Sequence, residues 1–138
     1  MRYYLDTSIW RDLFEDRNEP IFPKSDRAKM LLQKIIYESG SIACSSIVLQ
    51  ELKDFGYYFQ DVKEYLDQFR RILLFPKETY SQFGKASDLS RKRNIPRNDA
   101  LHVLLAREMN AILVSRDAHF FLLRDIVIVK TPEDILFS

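Results

Sequence analysis

The chain has 138 residues, of which 46% are hydrophobic and 30% charged, a balance that is typical of a globular protein. Its formal net charge is +1, so the molecule is not a polycation, and any nucleic-acid binding would depend on a local basic patch. Cys44 is the only cysteine, which excludes an internal disulfide and a thiolate zinc cluster. We expect a single domain over residues 1–138. Because it has no signal-peptide core and no long apolar run, we expect it to be soluble and cytoplasmic.

Five short apolar runs predict five β-strands in chain order. They cover residues 2–5, 41–44, 72–75, 112–114 and 126–129. Apolar residues at helical spacing fill the intervals between these runs. Short apolar strands that alternate with helices predict an α/β fold in which helices cover both faces of a parallel sheet. Ligands bind such sheets beyond the carboxyl ends of the strands, so the residues that follow each strand are the first candidates for a site.

Polar residues that often cap helices precede several of the predicted helices. These cap residues are Ser25, Ser45 or Ser46, Asn98 and Thr131. Between the third and fourth strands, the spacing predicts one helix over residues 78–93 and a second over residues 99–109. The last helix has a proline in its first turn and acids directly after it, as helix N-termini commonly do.

Four acidic residues lie where this fold would bring them towards one edge of the sheet. They are Asp6, Glu51, Asp99 and Asp117. Taken singly, each has a structural explanation as a helix cap, a first-turn acid or a solvated side chain. Taken together, clustered carboxylates repel one another and tolerate burial only beside a cation. Oxygen ligands of this kind suit Mg²⁺ or Mn²⁺ better than zinc.

A pattern of acids, hydroxyl residues and apolar runs continues through five segments. The segments are YLDTSI (4–9), VLQEL (48–52), IPRNDALH (95–102), AILVSRDAHF (111–120) and VKTPED (129–134). In their order and content they resemble the PIN domain family, and within it the VapC-type toxin ribonucleases. The resemblance implies a three-layer α/β/α fold around a central parallel sheet of about five strands. It also implies a metal-dependent endoribonuclease that hydrolyses RNA phosphodiester bonds with one or two Mg²⁺ (or Mn²⁺) ions.

The same resemblance implies roles for individual residues and implies partners. The acids that correspond to the family's catalytic and metal-binding set are Asp6, Glu51, Asp99 and Asp117. Ser115 corresponds to a catalytic-site hydroxyl that would orient an acid or a water molecule. The chain departs from some members at His119, where those members have a further acid, and this bears on a second metal ion. A VapC-type toxin implies an RNA substrate, a small antitoxin protein and a homodimer.

Basic residues close to the acids in sequence are candidate RNA contacts. Arg93 and Arg97 precede the third acid, and Arg116 precedes the fourth. We predict that these three arginines contact RNA phosphates, with a solvated helix face as the alternative. His102 lies one helical turn after Asp99, so its ring either faces the acids or packs elsewhere in the protein.

Other classes of function fit the sequence less well or stay open. A phosphoacceptor receiver domain needs an acceptor Asp after the third strand, where the chain has Phe75 and Pro76. A phosphatase of the haloacid dehalogenase type needs an Asp where Ser8 stands, and a nucleotide-binding module needs a glycine-rich loop. A housekeeping RNA-processing nuclease and a non-catalytic nucleic-acid-binding PIN domain both stay open. The residues by themselves do not separate RNA from DNA as substrate.

Overall fold

A five-stranded parallel sheet organises the chain, and the computed structural model describes all of residues 1–138. The strands are β1 (Arg2–Leu5), β2 (Ser41–Ala43), β3 (Leu73–Leu74), β4 (Ile112–Val114) and β5 (Val129–Lys130). Their order in the sheet is β3-β2-β1-β4-β5, and every neighbouring pair is parallel. The strand order therefore reverses between β1 and β4. In open α/β sheets, this reversal point is where ligands bind.

Helices cover both faces of the sheet. They are α1 (Thr7–Phe14), α2 (Lys24–Tyr37), α3 (Ser46–Asp54), α4 (Phe59–Asp67), α5 (Tyr80–Arg93), α6 (Arg97–Glu108), α7 (Ala118–Phe121) and α8 (Pro132–Leu136). None of these helices combines the length and the apolar character that crossing a membrane requires.

Successive strand residues point to opposite faces, so the sheet separates two hydrophobic cores. On β1, Tyr3 and Leu5 pack in the first core with residues of α1 to α4 and α8. Tyr4 packs in the second core, which is built chiefly from α5, α6 and the segment around α7. Residues of β2 and β4 alternate in the same way. The predicted three-layer α/β/α fold with a central five-stranded parallel sheet is confirmed.

The fifth strand begins later than the sequence predicts. Ile126 and Val127 lie in a turn, where the Val127 amide donates to the Leu123 carbonyl at 3.3 Å. Val127 is buried in the second core together with Leu123, whereas Ile128 is 60% exposed. The apolar character of this run therefore reflects core packing against α6 and α7 rather than membership of the strand. The predicted second and third strands are correctly located but are one and two residues shorter, respectively.

Two of the predicted helix caps are wrong. Ser25 lies inside α2, and its hydroxyl donates to the Glu15 carbonyl and accepts from the Arg17 amide, so it holds the preceding loop instead. Asn98 lies in the first turn of α6, which begins at Arg97 without a side-chain cap. Ser45 and Thr131 cap their helices as predicted.

Candidate functional site

A cleft of about 170 Å³ lies beyond the carboxyl ends of β1 and β4, at the reversal point of the sheet. All four acids predicted from the sequence line it: Asp6, Glu51, Asp99 and Asp117. The other lining residues are Thr7, Ser8, Arg11, Phe55, His102 and Phe120. A larger cavity of about 470 Å³ lies beside Ile36 and residues 67–72, but only one acid lines it. The acidic residues predicted to be functional therefore lie together in the smaller cleft and not in the larger cavity.

Asp6 is fixed at the end of β1 by hydrogen bonds to both of its carboxylate oxygens. Oδ1 accepts from the Ile9 amide at 3.1 Å, which caps α1, and from the Ser8 hydroxyl at 2.8 Å. Oδ2 accepts from the Ser115 hydroxyl. Burial raises the pKa of Asp6, and these hydrogen bonds offset part of that rise. Asp6 is therefore both a helix cap and a rigid wall of the cleft.

Ser115 connects the ends of two neighbouring strands. Its hydroxyl donates to Asp6, and its Oγ accepts from the Asp117 amide at 2.9 Å. The residue is fully buried, so no water competes for these contacts. The Ser115 hydroxyl thus orients the Asp6 carboxylate in this structure, and its role in catalysis stays a prediction.

Glu51 is held by a buried hydrogen-bonded chain. Its Oε1 accepts from the Thr7 hydroxyl at 2.6 Å and lies 2.6 Å from Nε2 of His102. Because a carboxylate only accepts, Nε2 donates to Glu51, and in a neutral ring Nδ1 accepts from the Tyr4 hydroxyl at 2.6 Å. The Tyr4 hydroxyl is also 2.6 Å from the Ser45 hydroxyl. His102 is 2% exposed, so its ring packs in the protein and also faces an acid of the site.

The surroundings of Glu51 and Asp99 shift their pKa values in opposite directions. Burial alone would raise the pKa of Glu51, but the hydrogen bond and charge of His102 and the hydrogen bond from Thr7 lower it overall. Burial also raises the pKa of Asp99; the charges of Asp117 and Glu51 raise it further, and those of His102 and His119 offset part of the rise. Glu51 is thus stabilised as a carboxylate, whereas the surroundings of Asp99 disfavour its charged form overall.

Asp99, Asp117 and His119 form a group that could hold a divalent metal ion. Their ligand atoms all lie within 4.8 Å of one another. Nδ1 of His119 is 3.5 Å from Asp117 Oδ1 and 3.9 Å from Asp99 Oδ2. From the sequence, His119 appeared only as a departure from the family pattern. Its spacing of two residues from Asp117, across the first turn of α7, was the signal that could have identified it as a ligand.

The three arginines predicted to contact RNA do not line the cleft. Arg93 pairs with Asp125 at the surface, and Arg97 lies over the Phe83 ring. The Arg116 guanidinium is engaged by two acids, Asp12 at 2.6 Å and Glu133 at 2.9 Å. Contact with a phosphate would require Arg116 to give up these ion pairs. The RNA-binding role of all three stays a prediction, and the geometry disfavours it for Arg116.

Comparison with known families identifies the chain. The family model described as "PIN domain" matches residues 3–125, which is most of the sequence. The chain belongs to the PIN domain family. No curated protein matches the chain by sequence.

Several solved structures share the fold of this PIN domain. VapBC2 from Rickettsia felis, bound to a DNA fragment from its promoter, has 22% sequence identity and a TM-score of 0.69, covering 95% of this chain and 98% of that chain. FitAcB from Neisseria gonorrhoeae has 19% identity and a TM-score of 0.65, covering 96% and 98%. VapBC-1 from nontypeable Haemophilus influenzae has 18% identity and a TM-score of 0.62, also covering 96% and 98%. At these identities the likeness shows the fold.

We predict that Arg116→Ala lowers the free energy of unfolding by about 3 kcal/mol, because it leaves the buried Asp12 carboxylate with Arg17 as its only ion-pair partner. Asp12 is only 2% exposed in the intact chain, so its carboxylate depends on protein partners rather than on water. The control is Arg91→Ala, which breaks an exposed pair with Asp88 and should change stability by less than about 1 kcal/mol. Urea titrations of both variants measure the difference. Equal, small losses would show that the Arg116 ion pairs contribute little.

We predict that Asp99→Asn is at least as stable as the parent in EDTA at neutral pH but gains less stability from Mn²⁺. A raised pKa means that folded Asp99 binds its proton more tightly than the unfolded chain does. The contribution of Asp99 to folding stability is therefore fully present below its ordinary pKa of 3.8. This contribution is lost as the pH rises through the raised pKa of the folded state. The Asn variant avoids this loss. At an Mn²⁺ concentration of 100 times Kd, the parent should gain about 2.7 kcal/mol.

Thermal melts in EDTA and in Mn²⁺ measure both effects. The matched control is Asp26→Asn, which removes an exposed acid from the first turn of α2. It should cost about 0.3–1 kcal/mol in EDTA through the helix dipole and leave the Mn²⁺ shift unchanged. If Asp99→Asn behaves like this control, Asp99 is only a first-turn acid and the metal assignment fails.

Proposed function

We propose that this chain is a Mg²⁺- or Mn²⁺-dependent endoribonuclease, acting as a single PIN domain over residues 1–138, and the toxin of a VapBC-type toxin–antitoxin pair. The observation that carries the proposal is the grouping of Asp99, Asp117 and His119, whose ligand atoms lie within 4.8 Å of one another; two of them, Asp99 and Asp117, line the cleft together with Asp6 and Glu51. If these residues served only to cap helices, their side chains would not have to lie close to one another. Membership of the PIN domain family, whose members are generally nucleases, supports the same conclusion.

The residues of the cleft fit a divalent cation. The pKa of Asp99 is raised by burial and by neighbouring carboxylates, so a positive charge is favoured there. Asp99 and Asp117 would hold the ion, and His119 adds a nitrogen donor, which Mn²⁺ accepts more readily than Mg²⁺ does. Asp6 has less capacity left to ligate a metal ion, because both of its carboxylate oxygens already accept hydrogen bonds. When bound, such an ion lowers the pKa of a water molecule and offsets negative charge on a phosphate.

Glu51 is the residue best placed to take a proton during hydrolysis. Its lowered pKa keeps it ionised at neutral pH, and Thr7 and His102 fix its Oε1. As a water oxygen forms its bond to phosphorus, the carboxylate would accept the water proton. The bond between phosphorus and O3′ breaks, and the departing O3′ takes up a proton. The products carry a 5′-phosphate and a 3′-hydroxyl. Ser115 contributes by holding Asp6 in place.

We expect the purified chain to cleave single-stranded RNA in Mg²⁺ or Mn²⁺ and not in EDTA. Glu51→Gln should cut more slowly by about 100-fold or more, because the amide cannot accept the proton. The control is Glu64→Gln, which alters an exposed glutamate of α4 and should leave the rate unchanged. The measurement is gel analysis of a 5′-labelled RNA pool, with DNA of the same sequence alongside. Cleavage that persists in EDTA would contradict the mechanism, and metal-dependent RNA binding without cleavage would favour a non-catalytic PIN domain.

The proposed partners rest on the neighbouring structures. These neighbours include VapBC2, VapBC-1 and a toxin–antitoxin complex from Klebsiella pneumoniae. We therefore propose that this chain is inhibited by a small antitoxin protein, and the family resemblance adds the proposal that it forms a homodimer. Expression of the chain alone should arrest growth, and co-expression of an adjacent small open reading frame should relieve the arrest and give a co-purifying complex. A harmless, monomeric chain would favour a housekeeping nuclease. Growth curves and light scattering measure these outcomes.

A further inference from the structure

Arg11 is the only lysine or arginine that lines the acidic cleft. It lies in the second turn of α1, the helix that Asp6 caps. Beside it is Phe55, the C-cap residue of α3, whose amide donates to the Glu51 carbonyl one turn earlier. The helices that carry Asp6 and Glu51 thus also bring Arg11 and Phe55 to the same cleft.

The Arg11 guanidinium is stacked on an exposed aromatic ring. Its Cζ is 4.1 Å from the centroid of the Phe55 ring, and Phe55 remains 58% exposed. A stacked guanidinium keeps its edge available for bidentate contacts with a phosphate. An exposed ring beside it is the kind of surface on which an unpaired base stacks.

The other contact of Arg11 is weak. Its Nε lies 3.4 Å from Glu15 Oε2 in an ion pair without the geometry of a hydrogen bond, and this Nε is buried without a hydrogen-bond partner. The same Glu15 oxygen already accepts from the Tyr57 hydroxyl. A simple surface ion pair therefore accounts poorly for the position of Arg11. Charge balance for the four acids of the cleft is the competing explanation.

We propose that Arg11 and Phe55 form a nucleotide subsite of the cleft, in which Arg11 binds the phosphate next to the one that is cut and Phe55 stacks on the adjoining base. The inference rests on the proposed nuclease function and specifies its substrate as a single strand. A base can reach the Phe55 ring only when it is neither paired nor stacked in a duplex. The ligand chemistry is a backbone phosphate together with an unpaired base.

Binding of a labelled single-stranded RNA of about ten nucleotides, in Ca²⁺ instead of Mg²⁺ or Mn²⁺, tests the subsite separately from cleavage. Phe55→Leu should weaken binding about fivefold or more and leave the salt dependence unchanged. Arg11→Gln should weaken binding and reduce the slope of log K against log salt by about 1. Arg11→Lys should retain the slope and lose part of the affinity, because an ammonium neither stacks nor binds in a bidentate manner. A hairpin of the same length should bind more weakly to the parent chain.

The control variant is Arg27→Gln, because Arg27 also lies over an aromatic ring, 4.9 Å from the Phe22 centroid, but does not line the cleft. It should bind RNA like the parent. Thermal melts verify folding, and Arg11→Lys keeps the test valid if Arg11→Gln does not fold. The proposal is overturned if the Arg11 and Phe55 variants bind RNA like the parent. It is also overturned if Arg11→Gln tightens Mn²⁺ binding and leaves RNA binding unchanged. That outcome is expected if Arg11 only balances the negative charge of the four acids in the cleft.

These outcomes separate the subsite from the nuclease mechanism. A parent chain that binds RNA through Arg11 and Phe55 but cuts nothing contradicts the proposed function and leaves the subsite standing. A parent chain that cuts RNA while the variants bind and cut normally contradicts the subsite alone. A parent chain that binds no single-stranded RNA contradicts both.

Discussion

The site depends on the pairing of β1 with β4. The register aligns Leu5 with Val114, and the Asp6 amide continues the ladder to the Val114 carbonyl at 3.1 Å. This alignment places Ser115 beside Asp6, where one hydroxyl holds the acid after β1 and the backbone amide of Asp117 after β4. A slip of one residue would turn every side chain of β1 to the opposite face and remove these contacts. The cleft is therefore a consequence of strand register.

Electrostatic repulsion is the cost of this arrangement. Four carboxylates line one cleft, and the raised pKa of Asp99 reports the burial and crowding. Two features of the chain offset part of the repulsion without a metal ion. His102 donates to Glu51 from a buried position, and Arg11 lies at the cleft on the ring of Phe55. A divalent cation would relieve the repulsion that remains around Asp99 and Asp117.

Much of the architecture was readable from the sequence, because it follows from local chemistry. Alternating apolar residues specify which face of a strand is buried, and hydroxyl or acidic residues specify where helices begin. These rules located β1 and β4 and the caps Ser45 and Thr131. They failed for residues 126–129, where the turn at Val127 is apolar only because it fills the core against α6 and α7. Sequence periodicity does not distinguish a core-filling turn from a buried strand.

The sequence by itself determined which acids were candidates, since Asp6 and Asp117 follow strands that must end at the same edge of a parallel sheet. Only the tertiary structure decided how these acids are held and what lies among them. The crossover from α5 through α6 brings His102 to Glu51, 51 residues away along the chain, and His119 to Asp99. The pairing of β1 with β4 brings Arg116, which follows β4, to Asp12 of α1 across 104 residues. Such contacts depend on how helices pack on the sheet, and the local pattern of residues does not encode that packing.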